Sequence, residues 1–136
     1  MSRILAIDYG SKRSGIAVTD PMRIIASGLT TIATNELIPF LKKYTADENV
    51  QEIVIGQPKR MSNENSDIET DIQQFIIKLQ NELPHISIER EDERFTSKMA
   101  FQAMLDGGMK KKQRQNKALI DEISATLILQ SYMNRK

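Results

Sequence analysis

The sequence predicts an α/β fold, a single domain over residues 1–136 in which helices cover both faces of one five-stranded mixed sheet. Three observations lead there. Short unbroken apolar runs, Ile4-Leu5-Ala6-Ile7 and Ile53-Val54-Ile55 among them, suit strands buried on both faces. Segments of helical period follow the early strands and then alternate with later ones. A chain of 136 residues is long enough for one core and short for two, and neither a linker nor an internal repeat divides it.

The elements follow in order. Ile4 to Ile7 is the first strand, closed by Asp8. Gly15 to Val18 is the second, reached through the glycine-bounded connection Gly10-Ser11-Lys12-Arg13-Ser14-Gly15, short enough for a hairpin. Arg23 to Thr31, after the Asp20-Pro21 turn signal, reads as a third strand. Leu37, Ile38, Leu41 and Tyr44 then recur at helical spacing, with Pro39 in or near the first turn, where its missing N–H does least harm. Glu52 to Gly56 is the fourth strand, and Gln57 to Asn65 a polar loop that suits a mobile flap. Ser66-Asp67-Ile68-Glu69 has the capping-box pattern; Ile68, Ile72, Phe75, Ile76, Leu79 and Leu83 follow on one face until Pro84. Ile86 and Ile88 alternate with polar residues as in a fifth strand. Thr96 can cap a helix to Asp106, stopped by Gly107-Gly108, and a last helix runs from about Asn116 to Asn134.

Composition excludes several classes of function. With no cysteine there are no disulfides, thiolate metal sites or thiol nucleophiles. No apolar run reaches the roughly 20 residues of a membrane span, and no secretory signal opens the sequence, so a cytoplasmic protein without a membrane partner is expected. The net charge of +1 does not announce a nucleic-acid partner, so that signal has to be local. His85 has no companion histidine and reads as a turn residue; the seven methionines read as core filler. Neither a nucleophile-elbow serine nor a long glycine-rich phosphate loop is present.

The chemistry starts from Asp8, because a carboxylate closing a buried strand is costly unless it is paired or bound to a cation. From position alone, capping of nearby N–H groups is an equal explanation. Two distant acidic positions shift the balance: Asp92-Glu93-Arg94 follows the fifth strand, and Asp121 lies early in the last helix. Asp121 shares a helical face with Lys117, Ser124, Ala125, Ile128 and Tyr132, whose small members allow close approach to the sheet. If strands one and five end at the same edge, Asp8, Glu93 and Asp121 converge, with Asp92 as the alternate should the register differ by one. Three carboxylates without His or Cys favour hard, oxygen-seeking ions, Mg²⁺ or Mn²⁺, and a pair of such ions about 3.5–4 Å apart serves phosphodiester hydrolysis. In that arrangement Asp8 is shared between the ions, Glu93 bridges or positions water, and Asp121 holds one ion.

Basic residues gather near these acids. Lys110-Lys111-Lys112-Gln113-Arg114 and Lys117 precede Asp121, Lys59 and Arg60 lie in the flap, Lys12 and Arg13 stand beside Asp8, and Arg94 follows Glu93. Such residues suit contacts to phosphates, which add affinity without reading sequence. The few aromatics near them, Tyr9 and Phe95, give base stacking little support.

The string Asp8-Tyr9-Gly10-Ser11-Lys12-Arg13-Ser14-Gly15-Ile16-Ala17-Val18, the Gly56-x-Pro58 turn, Asp92-Glu93-Arg94-Phe95-Thr96-Ser97 and Ile120-Asp121-Glu122-Ile123-Ser124-Ala125 together resemble the bacterial YqgF family, also described as RuvX-like. The resemblance implies a ribonuclease H-like fold and a nuclease maturing the 5′ end of pre-16S ribosomal RNA, with Holliday junction resolution as the alternative. It maps the family's acidic positions onto Asp8, Glu93 and Asp121. Gln57, Arg60 and Asn63 depart from the family's flap pattern, although Asn63 tolerates the left-handed conformation that a glycine would supply.

Two readings compete with the nuclease. Asp-x-Gly before a hairpin also opens ATP-binding proteins of the actin and sugar-kinase type, but those close two lobes around the nucleotide and this chain provides one. A non-catalytic nucleic-acid-binding module has no use for carboxylates beside phosphates. The expected partner is nucleic acid, pre-rRNA ahead of branched DNA, bound by a monomer or weak homodimer.

Overall fold

The computed structural model describes residues 2–58, 68–92 and 117–135. They form five strands, β1 (Arg3–Asp8), β2 (Arg13–Thr19), β3 (Ala26–Ala33), β4 (Val50–Gln57) and β5 (Ser87–Asp92). The helices are α1 (Leu37–Asp47), entered through a 3₁₀ turn at Thr34–Glu36, then α2 (Glu69–Glu82) and α3 (Lys117–Arg135). Across the sheet the strands run β3-β2-β1-β4-β5, with β1–β2 and β2–β3 antiparallel and β1–β4 and β4–β5 parallel. The parallel trio β1, β4 and β5 therefore ends at one edge of the sheet, the condition that convergence of the acids requires.

Period-two alternation sends large and small residues to opposite faces. Leu5, Ile7, Ile16, Val18, Ile53 and Ile55 point to one face and are covered by Leu37 and Leu41 of α1 and by Ile72, Phe75, Ile76 and Leu79 of α2. Ile4, Ala6, Ala17 and Val54 point to the other, where α3 lays Ala125, Ile128, Leu129 and Tyr132 on them. The alanines let α3 approach closely, and Gly15 brings it closer still. A Cβ built on Gly15 would overlap the backbone carbonyl of Asp121, so helix and strand meet there main chain to main chain.

Several sequence expectations are corrected. The third strand is Ala26–Ala33 rather than Arg23 to Thr31. The Asp20 carboxylate accepts hydrogen bonds from the N–H groups of Met22, Ile24 and Ile25, which curls the chain into a turn with Arg23 at φ 58°. These bonds hold the Asp20 carboxyl below its ordinary pKa. Met22 is 60% exposed on that turn and so is not core filler, whereas Met133 packs against the α3 core. Glu69, the acid of the expected capping box, opens α2, and its carboxylate takes two 2.8 Å hydrogen bonds from Arg90 and one from Gln73. Ser66 and Asp67, the Lys59–Asn65 part of the flap, and the Thr96–Asp106 helix lie outside the described residues.

One polar contact ties α3 to the sheet. Glu52, 9% exposed on β4, accepts a hydrogen bond from the Tyr132 hydroxyl and pairs with Arg23 at 3.4 Å. A carboxylate so buried depends on its partners.

Two stability measurements follow. Gly15→Ala forces α3 off β2 and should destabilise the fold by about 1–3 kcal/mol in urea unfolding. Tyr132→Phe leaves the buried Glu52 carboxylate short of a donor and should cost about 1–3 kcal/mol in the same assay, more than Phe's own packing returns.

Candidate active site

Asp8 is half-buried at the last position of β1, and the hairpin after it is tied down. The Gly10 N–H donates to Ser14 Oγ at 3.2 Å, Thr34 Oγ1 donates to the Gly10 carbonyl at 2.6 Å, and the two hydroxyls lie 2.8 Å apart. The Thr34 N–H closes the set on the Lys12 carbonyl. Ser14 is fully buried, so the connection holds its shape through side chains that the apolar pattern does not reveal.

Antiparallel pairing sets Asp8 opposite Gly15 on β2. Opposed residues share a face, and the face of Gly15 is the one against Asp121. Asp8 and Asp121 are thus brought to the same side of the sheet by one glycine. The Asp121 carboxylate is also taken by Arg13, two residues before Gly15 on the same strand face, with Nε to Oδ2 at 2.5 Å. Arg13 is expected from sequence as a phosphate contact; in this structure it neutralises one of the candidate metal ligands.

Toward the other side of Asp8, Ile7 pairs with Ile55, so Gly56 of β4 stands beside Asp8 without a side chain. Gly56 pairs with Glu91 of β5. Glu91 is 8% exposed and accepts a 2.5 Å hydrogen bond from Ser131 of α3, which fixes it on the Asp8 face. Glu91 is not marked by the acid-after-strand pattern that singles out Asp92 and Glu93; strict alternation along β5 is the signal that finds it. The same alternation sets Asp92 on the α2 face with Arg90, opposite Asp8. Arg90 also donates to the carbonyls of Ile55 and Gly56, holding the end of β4 from behind.

Glu93, Arg94, Lys59, Arg60, Lys110, Lys111, Lys112 and Arg114 lie outside the described residues, as does the side chain of Lys117; Lys12 is exposed on the hairpin. Among the described residues, no three acidic or histidine side chains gather closely enough to hold a metal. The donor set that is present, half-buried carboxylates with no His or Cys between them, has the chemistry of a hard-cation site.

Clefts elsewhere are of a different kind. One of about 700 Å³ runs along α1 past Ile32, Phe40 and Tyr44 and is lined by none of the candidate acids. Another of about 410 Å³ lies behind the hairpin, lined by Tyr9, Asn35, Asp71, Gln74 and Lys78. Burial, reinforced by the Asp71 carboxylate, pushes the Tyr9 phenol above its ordinary pKa.

The likeness to known proteins covers the whole chain. It is 61% identical over 136 residues, all of this chain and 99% of the relative, to a Flavobacterium psychrophilum protein named "Putative pre-16S rRNA nuclease", and 58% identical to the protein of that name from Phocaeicola vulgatus, covering 98% of it. Among solved structures it resembles T. thermophilus RuvC in complex with a Holliday junction substrate, with a TM-score of 0.58 at 13% identity, covering 99% of this chain and 96% of RuvC. At that identity the likeness establishes the fold, which is ribonuclease H-like. Residues 2–135 match the family described as "RuvX: Holliday junction resolvase". A match over nearly the full length, joined to relatives at this identity, makes the chain a member of the RuvX family.

Proposed function

We propose that this chain is a divalent-cation-dependent endonuclease that hydrolyses phosphodiester bonds of pre-16S ribosomal RNA at the 5′ end, with cleavage of four-way DNA junctions as the second reading. The observation that carries it is the seating of Asp8 and Asp121 on one face of the sheet, drawn together by the bare backbone of Gly15. The names of the relatives support RNA as the substrate. The family's description supports the junction.

Asp8, Asp121 and Glu93 are the proposed ligands, for one ion or for a pair. Asp92 shares the α2 face with Arg90, away from Asp8, which counts against it and leaves Glu93 as the proposed third carboxylate. When bound, Mg²⁺ or Mn²⁺ supplies charge for the developing oxyanion and lowers the pKa of attacking water. The chain's own part is to position and to screen. Asp8 is held at a strand end whose hairpin is tied down by Ser14 and Thr34, and Gly56 beside it adds no side chain. Lys12, Arg13, Lys59, Arg60, Arg94, Lys110, Lys111, Lys112, Arg114 and Lys117 are the proposed contacts to the nucleic-acid backbone. Among the described residues no helix is long and apolar enough to cross a membrane. We place the protein in the cytoplasm, acting as a monomer or weak homodimer.

Asp8→Asn should abolish Mn²⁺-dependent cleavage of a pre-16S 5′ fragment while leaving RNA affinity equal or improved, since a negative charge beside phosphates is removed. A variant that cuts as well as the parent would remove Asp8 from the site. Parallel assays on single-stranded RNA and four-way DNA junctions separate the two substrates, and cleavage of junctions alone would reverse their order. Arg13→Ala frees the Asp121 carboxylate, so Mn²⁺ titrated by calorimetry should bind more tightly. Partial solvent screening of the pair limits the gain to about tenfold.

A further inference from the structure

Ser124 is the buried polar group that the packing of α3 does not explain. It is 1% exposed, and among the described residues its hydroxyl is the buried side-chain polar atom without a hydrogen-bond partner. A hydroxyl offers one donor and two acceptor positions, and native interiors seldom leave all of them idle. A helical serine or threonine has an easy remedy in the carbonyl one turn back. Thr126 takes it, donating to the Glu122 carbonyl at 2.8 Å, and Ser124 does not. An alanine there would continue the apolar stripe of Ala125 and Ile128 with nothing left unpaired.

Its direction follows from the helix. Ser131 lies seven residues on, close to two full turns, so Ser124 and Ser131 share a flank of α3. Ser131 bonds Glu91, which the β4–β5 register sets beside Gly56, the neighbour of Asp8. The opposite flank, Glu122 and Thr126, lies against Gly28 of β3. Ser124 therefore belongs to the flank turned toward the ends of β1 and β4, one turn after Asp121.

We infer that Ser124 Oγ hydrogen-bonds a water molecule in the coordination shell of a divalent cation held by Asp8 and Asp121, as a positioning residue rather than a direct ligand. The inference rests on the metal-site reading above. A small hard cation such as Mg²⁺ keeps several of its waters. A neutral hydroxyl competes poorly with carboxylates for the ion itself, but it is a good acceptor for a metal-polarised water. Such outer contacts orient the ion's ligands, and here the contact would span the gap between helix and strand and tie the two carboxylates to one geometry.

The test is Mn²⁺ binding by titration calorimetry to the full chain, with thermal unfolding in EDTA and in Mn²⁺, for the parent, Ser124→Ala, Ser124→Thr and Asp8→Asn. Ser124→Ala should weaken Mn²⁺ binding on the order of tenfold. It should leave unfolding in EDTA unchanged or slightly raised, because the hydroxyl has no protein partner to lose, and it should reduce the rise in Tm that Mn²⁺ gives the parent. Restored affinity in Ser124→Thr supports the hydroxyl as the cause. Parent-like Mn²⁺ affinity in Ser124→Ala overturns the inference, and a lower Tm in EDTA alongside it would show that the hydroxyl serves the fold alone. If the parent binds no Mn²⁺, or Asp8→Asn binds as the parent does, the metal-site reading fails and this inference with it.

Discussion

The close approach of α3 to β2 at Gly15 is the constraint on which the rest of the arrangement depends. Helices ordinarily stand off a sheet by the length of the side chains between them. Here the Asp121 carbonyl occupies the space a Cβ would need, so no other residue type fits at this position without moving the helix. Because Gly15 is paired with Asp8, the same contact that seats the helix also sets the distance between two carboxylates more than a hundred residues apart in the chain. Ala6 and Ala17 continue the small surface beneath α3, and Glu52 with Tyr132 anchors its far end.

The two faces of the sheet divide the labour. On the α1 and α2 face, large aliphatic side chains interlock and supply most of the apolar burial. The α3 face buries less and carries the acids: Asp8, Glu91 and Asp121 all lie there, and Arg90 reinforces the strand ends from the opposite side. A thick core on one side can support a thin, polar-edged layer on the other. That division suits a site in which charged groups have to stay close to one another and still reach solvent.

Charge compensation at that face is local. Arg13 holds Asp121, Ser131 holds Glu91, and Arg23 with Tyr132 holds Glu52. Each acid has a partner suited to its burial, since an ionised group out of water is tolerated only when paired. Ser124 stands apart because it is a polar atom for which the protein has supplied no partner.

Much of the fold was legible in the sequence. Unbroken apolar runs marked β1, β2 and β4, helical period marked α1, α2 and α3, and the anomaly of an acid at the end of a buried strand marked Asp8. These are local signals, written in periods of two and of about 3.6 residues, and they need no knowledge of what lies across the sheet. The start of β3 was not legible, because it depends on whether the Asp20 carboxylate turns back onto the N–H groups of Met22, Ile24 and Ile25. Nor was the ion-pair partner of Glu69, since Arg90 comes to it from β5, across the packing of α2 on the sheet. Asp121 was singled out on its helix, but nothing in its neighbours told which strand it would meet or that Arg13 would take its carboxylate. Register and helix docking are set by side chains distant in sequence and close in space, so they belong to the tertiary structure: local pattern chose the elements, and the bare backbone of Gly15 decided where they touch.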